Sequence, residues 1–276
     1  MSKEVTLTAA LRTNLLSLQG TQRLLDQTQL RLATGKKVNG ALDNANAFFA
    51  SQSLTNRSND LSRLLDGIGQ SIQVLKTADE GIKSITSFLE QARAIAQEAL
   101  DQANAAGGGA NPPVDLASLD ASYTETLAQI DGLSADSGYR GTNLLSGGTL
   151  VVNFNEDSSS SLTVTGVTFD SAGLAVNSAS LATAAAAQTA IDSIDAALTT
   201  VRAQARSFGT NLNIIQTRQD FTQNLINTLK EGSDKLVLAD SNEEGAKLLA
   251  LQTQQQLGIT SLSLASQAQQ AVLRLF

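Results

Sequence analysis

At 276 residues the chain is long enough for one or two domains with a substantial core. It has no Cys and no His, which excludes disulfides, zinc centres, thiol catalysis and the imidazole bases of serine and cysteine hydrolases. With 19 basic against 26 acidic residues the net charge is −7, which does not attract a phosphate backbone, so no nucleic-acid partner is expected.

Aromatics make up 4% of the chain, with no Trp and two Tyr. Ala, Leu, Gln, Ser, Thr and Asn dominate, which suits long helices packed side by side better than a compact globule. Pro112 and Pro113 are adjacent and are the only prolines, so the remaining segments are free of proline breaks. The opening Met1-Ser2-Lys3-Glu4 lacks the apolar stretch of a cleavable signal peptide. No apolar run of about 18 residues exists, so no membrane-spanning helix and no membrane partner are expected. Composition alone reads as cytoplasmic.

Residues 5–33 read as an amphipathic helix. Leu11, Leu15, Leu18, Leu25 and Leu32 fall on steps of three, four and seven, with Gln22 and Gln29 filling the same stripe. Thr34-Gly35-Lys36-Lys37-Val38-Asn39-Gly40 is a breaker. A longer helix follows, with the stripe Leu61, Leu65, Ile68, Ile72, Leu75, Ala78, Ile82, Ile85, Leu89, Ala92, Ala96 and Ala99. One stutter aside, this is a heptad repeat, the mark of helix-on-helix packing. A helix of about 50 residues would be roughly 75 Å long. It ends before the loop Gly107-Gly108-Gly109-Ala110-Asn111-Pro112-Pro113.

Residues 115–132 predict a shorter helix, with Leu116, Leu119, Tyr123, Leu127 and Ile130 on one side. Then the period changes. Residues 150–154 and 162–169 read as strands joined by the polar turn 155–161. A lone hairpin is marginal in water, so it must lie against the helices. A third long helix, about 180–231, carries Ile191, Ile194, Leu198, Val201, Ala205, Phe208, Leu212, Ile215, Thr222, Ile226 and Leu229, with Gln219 filling the one missing slot. A last helix, roughly 241–275, carries Leu249, Leu257, Leu264, Ala271, Val272 and Leu275. The expected fold is mainly α, a long antiparallel bundle with one small β-hairpin, the amino half folded along the carboxy half. The terminal helices are amphipathic with nothing in the chain to cover them, so they are expected to order only in an assembly.

Three motifs suggest chemistry and fail on inspection. Asp240-Ser241-Asn242-Glu243-Glu244-Gly245 looks like the start of a calcium loop, but the twelfth position, which needs a bidentate Glu, is Leu251. A helix amino-terminus with acidic residues in its first turn is the better reading. The glycines at 67 and 69 and at 107–109 follow no strand and carry no phosphate-loop pattern. Acidic neighbours such as Asp79-Glu80 point in different directions on a helix and suit solvated faces. The Ser/Thr-rich hairpin at 155–168 could accept O-glycans, although exposed turns of this kind are usually only turns. No enzyme, cofactor or metal site is expected.

The run from Arg31 to Ala45, which includes Leu32, Gly35, Asn39 and Asp43, resembles the flagellin signature R-L-[SA]-[ST]-G-x-[RK]-[IV]-N-x-A-x-D-[DN]-A. Ala78-Asp79-Glu80-Gly81-Ile82 resembles the family's T-A-[DE]-[GS]-[AI], and Arg93-Ala94-Ile95-Ala96 stands where flagellins have R-E-L-A. Gly141-Thr142-Asn143-Leu144-Leu145 resembles the step into the family's hairpin, and Phe208-Gly209-Thr210-Asn211-Leu212-Asn213 resembles L-G-A-x-x-N. Asp240 and Glu244 match D-x-x-x-E. Gln252 to Gly258 matches Q-x-x-Q-Q-x-G, and Val272 to Phe276 matches the V-L-x-L-[LF] ending.

The resemblance covers both ends of the chain in order. It implies a secreted, extracellular subunit that polymerises into the bacterial flagellar filament. It implies export unfolded through the flagellar type III apparatus, with an export chaperone and hook-associated junction and cap proteins as partners, and this replaces the cytoplasmic reading. It implies terminal helices, 1–40 and 240–276, that form an inner tube, and a rod of long helices, 41–239, with the hairpin at about 142–176 and no outer variable domains. The expected assembly surface is Leu11, Leu15, Leu18, Leu25, Leu32, Leu257, Leu264, Ala271 and Leu275. Two alternatives stand beside the filament: a hook–filament junction protein, and a flagellin-like surface receptor or adhesin, for which only Tyr139-Arg140 and Phe154 offer candidate contacts.

Overall fold

The structure, a computed structural model, describes residues 9–105, 114–176 and 180–273. Five helices and one hairpin follow in the order α1 (Ala9–Thr34), α2 (Ala41–Ala105), α3 (Val114–Asp136), β1 (Thr149–Asn153), β2 (Ser161–Thr165), α4 (Ala184–Val237) and α5 (Ser241–Leu273). The glycine-rich run 107–109 and its prolines lie outside the described residues, as does the end of the chain from Arg274. The chain divides into two compact units, one of residues 1–58 with 227–276, the other of residues 59–226.

In the larger unit the heptad stripe of α2 forms one wall of a continuous core. Ile68, Leu75, Ile85 and Leu89 are buried, and Ala92, Ala96 and Ala99 are fully so. The opposing walls are Leu116, Tyr123, Leu127 and Ile130 of α3 and Ile191, Ile194, Leu198, Val201, Phe208 and Ile215 of α4. Removing each large aliphatic side chain from water stabilises this unit by about 1.5–3 kcal/mol.

The hairpin closes one side of that core. Thr149 pairs with Thr165 and Val151 with Thr163, antiparallel. Alternation turns Leu150, Val152 and Val164 inward and leaves Val151 exposed. Asn143 anchors the approach to the hairpin. Its Nδ2 donates to the Ser134 and Ala135 carbonyls at the end of α3, at 2.8 and 3.0 Å, and its Oδ1 accepts the Leu145 N–H at 2.8 Å.

Two expectations are corrected. The second strand, read as 162–169, stops at Thr165. Gly166 leaves the ladder, its N–H bonds the Gly148 carbonyl, and Val167 and Phe169 bond back to the carbonyls of Leu144 and Leu145. This return is possible because Gly166 has no side chain: a Cβ there would meet the Gly148 and Leu144 oxygens at 2.4 Å each. Second, the terminal helices are not uncovered within the chain. In the smaller unit α1 and α5 pack against each other, because each helix carries one stripe of residues that fits the other.

Gly166→Ala should therefore cost about 2–3 kcal/mol of unfolding free energy. Gly132→Ala in α3, where an added Cβ meets nothing within 4 Å, should stabilise by about 0.5–1 kcal/mol. Urea unfolding followed by circular dichroism measures both. Equal midpoints for the two variants would contradict the account of the hairpin.

Candidate assembly surface

The residues of the two terminal motifs meet in the smaller unit. α1 ends at Gly35, whose φ of +67° suits the residue after a helix end. The chain then runs beside the α4–α5 turn: Lys37 N–H donates to the Val237 carbonyl at 2.7 Å, and Ala239 N–H to the Gly35 carbonyl at 2.9 Å. Asn39 donates its backbone N–H to Asp43 Oδ2 at 2.8 Å and its side-chain amide to the Lys36 carbonyl at 3.1 Å. Asn44 is extended and its Oδ1 accepts the Ala47 N–H at 3.0 Å, so Asn44 caps the long run of α2. Asp240 caps α5 in the same way, accepting from the N–H groups of Asn242 and Glu243 at 2.8 and 3.3 Å.

Across these turns Arg31 Nη1 donates to Glu244 Oε1 at 3.2 Å, and Lys247 Nζ lies 3.4 Å from the same oxygen. Glu244 is only 4% exposed. A buried carboxylate is costly without a partner, so the pair sets where α5 sits on α1 more than it adds stability. Arg31, Gly35, Asn39, Asp43, Asp240 and Glu244 thus make one structural junction. Between α2 and α4, Ser233 Oγ lies 3.0 Å from Ser51 Oγ and 2.9 Å from Thr55 Oγ1, a hydroxyl cluster, buried at Ser51 and Ser233 and exposed at Thr55, that the sequence reading missed.

From that junction α1 and α5 run antiparallel. Gln255 Nε2 donates to Gln22 Oε1 at 2.6 Å, and Gly258 lies against Leu18. The α1 side of the seam is Leu11, Asn14, Leu18, Thr21, Leu25, Thr28 and Leu32, buried or half-buried at steps of three and four. The α5 side is Glu244, Leu248, Leu251, Gln255, Gly258, Leu262 and Ala265, at the same steps. Thr21 and Thr28, not Gln22 and Gln29, fill the α1 seam.

The expected surface residues therefore separate. Leu11, Leu18, Leu25 and Leu32 face α5 of their own chain, and Leu15 lies at the edge, 37% exposed. Leu257, Leu264 and Ala271 face outward, the two leucines 66% and 62% exposed. Leu275 lies outside the described residues. Sequence reasoning missed Leu16, Leu24 and Leu30, which form the exposed apolar face of α1. It also missed that α5 carries two stripes. Ala246, Ala250, Thr253, Leu257, Thr260, Leu264 and Ala271 repeat on three-and-four steps (or seven) opposite the seam. From Leu248 to Leu273 the chain contains no Asp, Glu, Lys or Arg. A charge-free helical segment with an exposed apolar stripe is unusual at a free surface.

Arg93 lies in the other unit. Its Nε and Nη2 donate to the two Asp195 oxygens at 2.7 and 3.4 Å, joining α2 to α4. Both side chains are about half exposed, so water screens the pair and it adds little stability. Among the described residues no group of three or more acidic side chains could hold a metal ion, and no helix is long and apolar enough to cross a membrane.

Comparison with known proteins matches residues 5–149 to the bacterial flagellin N-terminal helical region and residues 191–276 to the bacterial flagellin C-terminal helical region. Flagellin FljM of Caulobacter vibrioides is 31% identical over 262 residues, which cover 94% of this chain and 93% of that protein. A flagellin of Brucella melitensis is 28% identical over 96% of this chain and 95% of its own length. The crystal structure of Bacillus cereus flagellin superposes with a TM-score of 0.49 at 22% identity, over 56% of this chain and 88% of that one.

Arg31→Ala should loosen the seam by about 1–3 kcal/mol, because Glu244 would keep only Lys247 as a partner. Hydrogen exchange of amides 244–262 should accelerate, while amides of α3 stay protected. Unchanged exchange along α5 would show that the ion pair does not set the seam.

Proposed function

The chain belongs to the bacterial flagellin family, and from that premise we propose that it assembles through the outward faces of its terminal helix pair. Flagellins are structural subunits of the filament and polymerise with copies of themselves. The observation that carries the present reading is the exposed, charge-free stripe of α5. One side of that helix is already satisfied by α1. The other presents Leu249, Leu257 and Leu264 to water, each more than 60% exposed. Association with further copies would bury it without stranding a charge.

On this reading residues 1–40 and 240–276 form the inner tube of the filament and residues 41–239 form the surrounding rod. The chain is exported unfolded by the flagellar type III apparatus, with an export chaperone, and meets hook-associated junction and cap proteins at the filament ends. The mature subunit is extracellular. A junction protein would share the terminal helices but would be present in tens of copies instead of thousands. Electron microscopy of sheared surface filaments, with this chain identified as their bulk component, separates the two.

Leu264→Asp tests the surface directly. Leu264 is exposed in the single chain, so the melting curve should not move. In the filament a carboxylate at that position would be buried without a partner, at about 3 kcal/mol or more for every copy added. The expected outcome is secreted, folded subunit in the medium, no filaments and no swimming. Normal seeded polymerisation of this variant would contradict the proposal.

A further inference from the structure

We propose that the folded chain carries a self-modifying dipeptide at Asn39-Gly40, which closes to a succinimide and opens to isoaspartate and aspartate in the turn between α1 and α2. In an asparagine followed by glycine, the glycine nitrogen can reach the side-chain carbonyl carbon, because no side chain on the second residue stands in the way. The backbone must also be free to bring the two atoms together. Three dipeptides in the chain place glycine after Asn or Asp: Asn39-Gly40, Asp66-Gly67 and Asp131-Gly132. The two aspartates lie inside α2 and α3. There each glycine N–H is engaged four residues back along the helix, and the helical backbone holds it away from the preceding carboxyl. Asp131 is tied further, its carboxylate accepting the Ser171 N–H and hydroxyl at 2.6 and 3.1 Å. Asn39 and Gly40 belong to neither helix nor strand.

The turn leaves the reacting atoms free. The Gly40 N–H enters no hydrogen bond among the described residues, while the Gly40 carbonyl accepts the Asp43 N–H at 3.1 Å. A Cβ built on Gly40 would meet nothing within 4 Å, so the ring has room to form. Both residues are half-buried and within reach of water. The Asn39 side chain is held by one bond, from Nδ2 to the Lys36 carbonyl at 3.1 Å. Asn143, by contrast, uses both ends of its amide in three bonds.

The step needs no co-reactant but water. The Gly40 nitrogen gives up its proton to solvent and bonds to Asn39 Cγ. The Cγ–Nδ2 bond breaks, and Nδ2 takes up a proton and leaves as ammonia. Water then adds to one of the two ring carbonyls. Opening at Cγ gives aspartate; opening at the main-chain carbonyl gives isoaspartate, with one extra methylene in the backbone. Aspartate replaces the Nδ2 donor by an oxygen that repels the Lys36 carbonyl. Isoaspartate lengthens the turn beside Lys37, whose N–H donates to the Val237 carbonyl at 2.7 Å. Both products set a second carboxylate near Asp43, whose Oδ2 accepts the Asn39 N–H at 2.8 Å, and like charges at that range repel. Modification therefore loosens the hold of this turn on the turn between α4 and α5.

The whole folded chain is incubated for weeks in neutral buffer, digested, and mapped by mass spectrometry with the isoaspartate and aspartate peptides separated. Asn39 should convert at least tenfold faster than Asn44, which also has non-helical backbone but precedes alanine. No isoaspartate should appear at Asp66 or Asp131. Gly40→Ala fits without a clash and should slow conversion at Asn39 at least tenfold. A parallel sample in urea separates the turn from the bare dipeptide: conversion of Asn39 only in the unfolded chain would overturn the proposal, as would equal rates at Asn39 and Asn44 in the folded one. In the aged, folded sample the Lys37 and Asp43 amides should exchange hydrogen faster than in fresh protein. Identical exchange in a sample that carries isoaspartate would overturn the loosening of the turn.

Discussion

A helix with apolar stripes on two opposite sides cannot be satisfied by one neighbour. α5 is such a helix. Its seam, from Glu244 to Ala265, takes α1 of the same chain, and its opposite stripe, from Ala246 to Ala271, remains in water. Nothing between Leu248 and Leu273 supplies the charge that normally keeps such a surface apart from others. On the proposed assembly the drive to associate is built into the helix itself, and the junction at Arg31 and Glu244 sets which stripe is turned outward. Sliding α5 by one residue along α1 would rotate its stripes by about 100° and spoil both.

The two units meet different demands. The larger one has a single continuous core in which Ile and Leu give way to Ala along α2, and it contains the hairpin and the aromatic residues Tyr123, Phe169 and Phe208. The smaller unit relies on shorter seams with Thr21, Thr28, Asn14 and Gln255 among their contacts, together with a hydroxyl cluster at Ser51, Ser233 and the more exposed Thr55. Polar seams of this kind give direction and register more than they give free energy.

Legibility in the sequence followed the number of partners that each helix has. α2 and α4 bury one main stripe in their shared core, so spacing alone located Ile68 to Ala99 and Ile191 to Ile215. The hairpin was legible from its change of period, but its second strand was read too long because Val167 and Phe169 keep the alternation after Gly166 has turned the backbone away. α5 was only half legible. Its two stripes interleave, so Leu249, Leu257 and Leu264 were read as the face of an isolated helix, and Leu248, Leu251 and Leu262 were passed over. Family resemblance marked Arg31, Gly35, Asn39, Asp43, Asp240 and Glu244, yet it said nothing of what they do. The turn and the caps are local, but the pairing of Arg31 with Glu244 follows only from the meeting of two turns some 200 residues apart, which no local pattern encodes.

Cryo-electron microscopy of filaments formed from this chain is the most direct test of the central claim, that α5 serves two partners at once. The account predicts that every α5 contacts its own α1 along Glu244 to Ala265 and a helix of another copy along Ala246 to Ala271. A filament in which the second stripe faces solvent, with Leu257 and Leu264 uncovered, would contradict it.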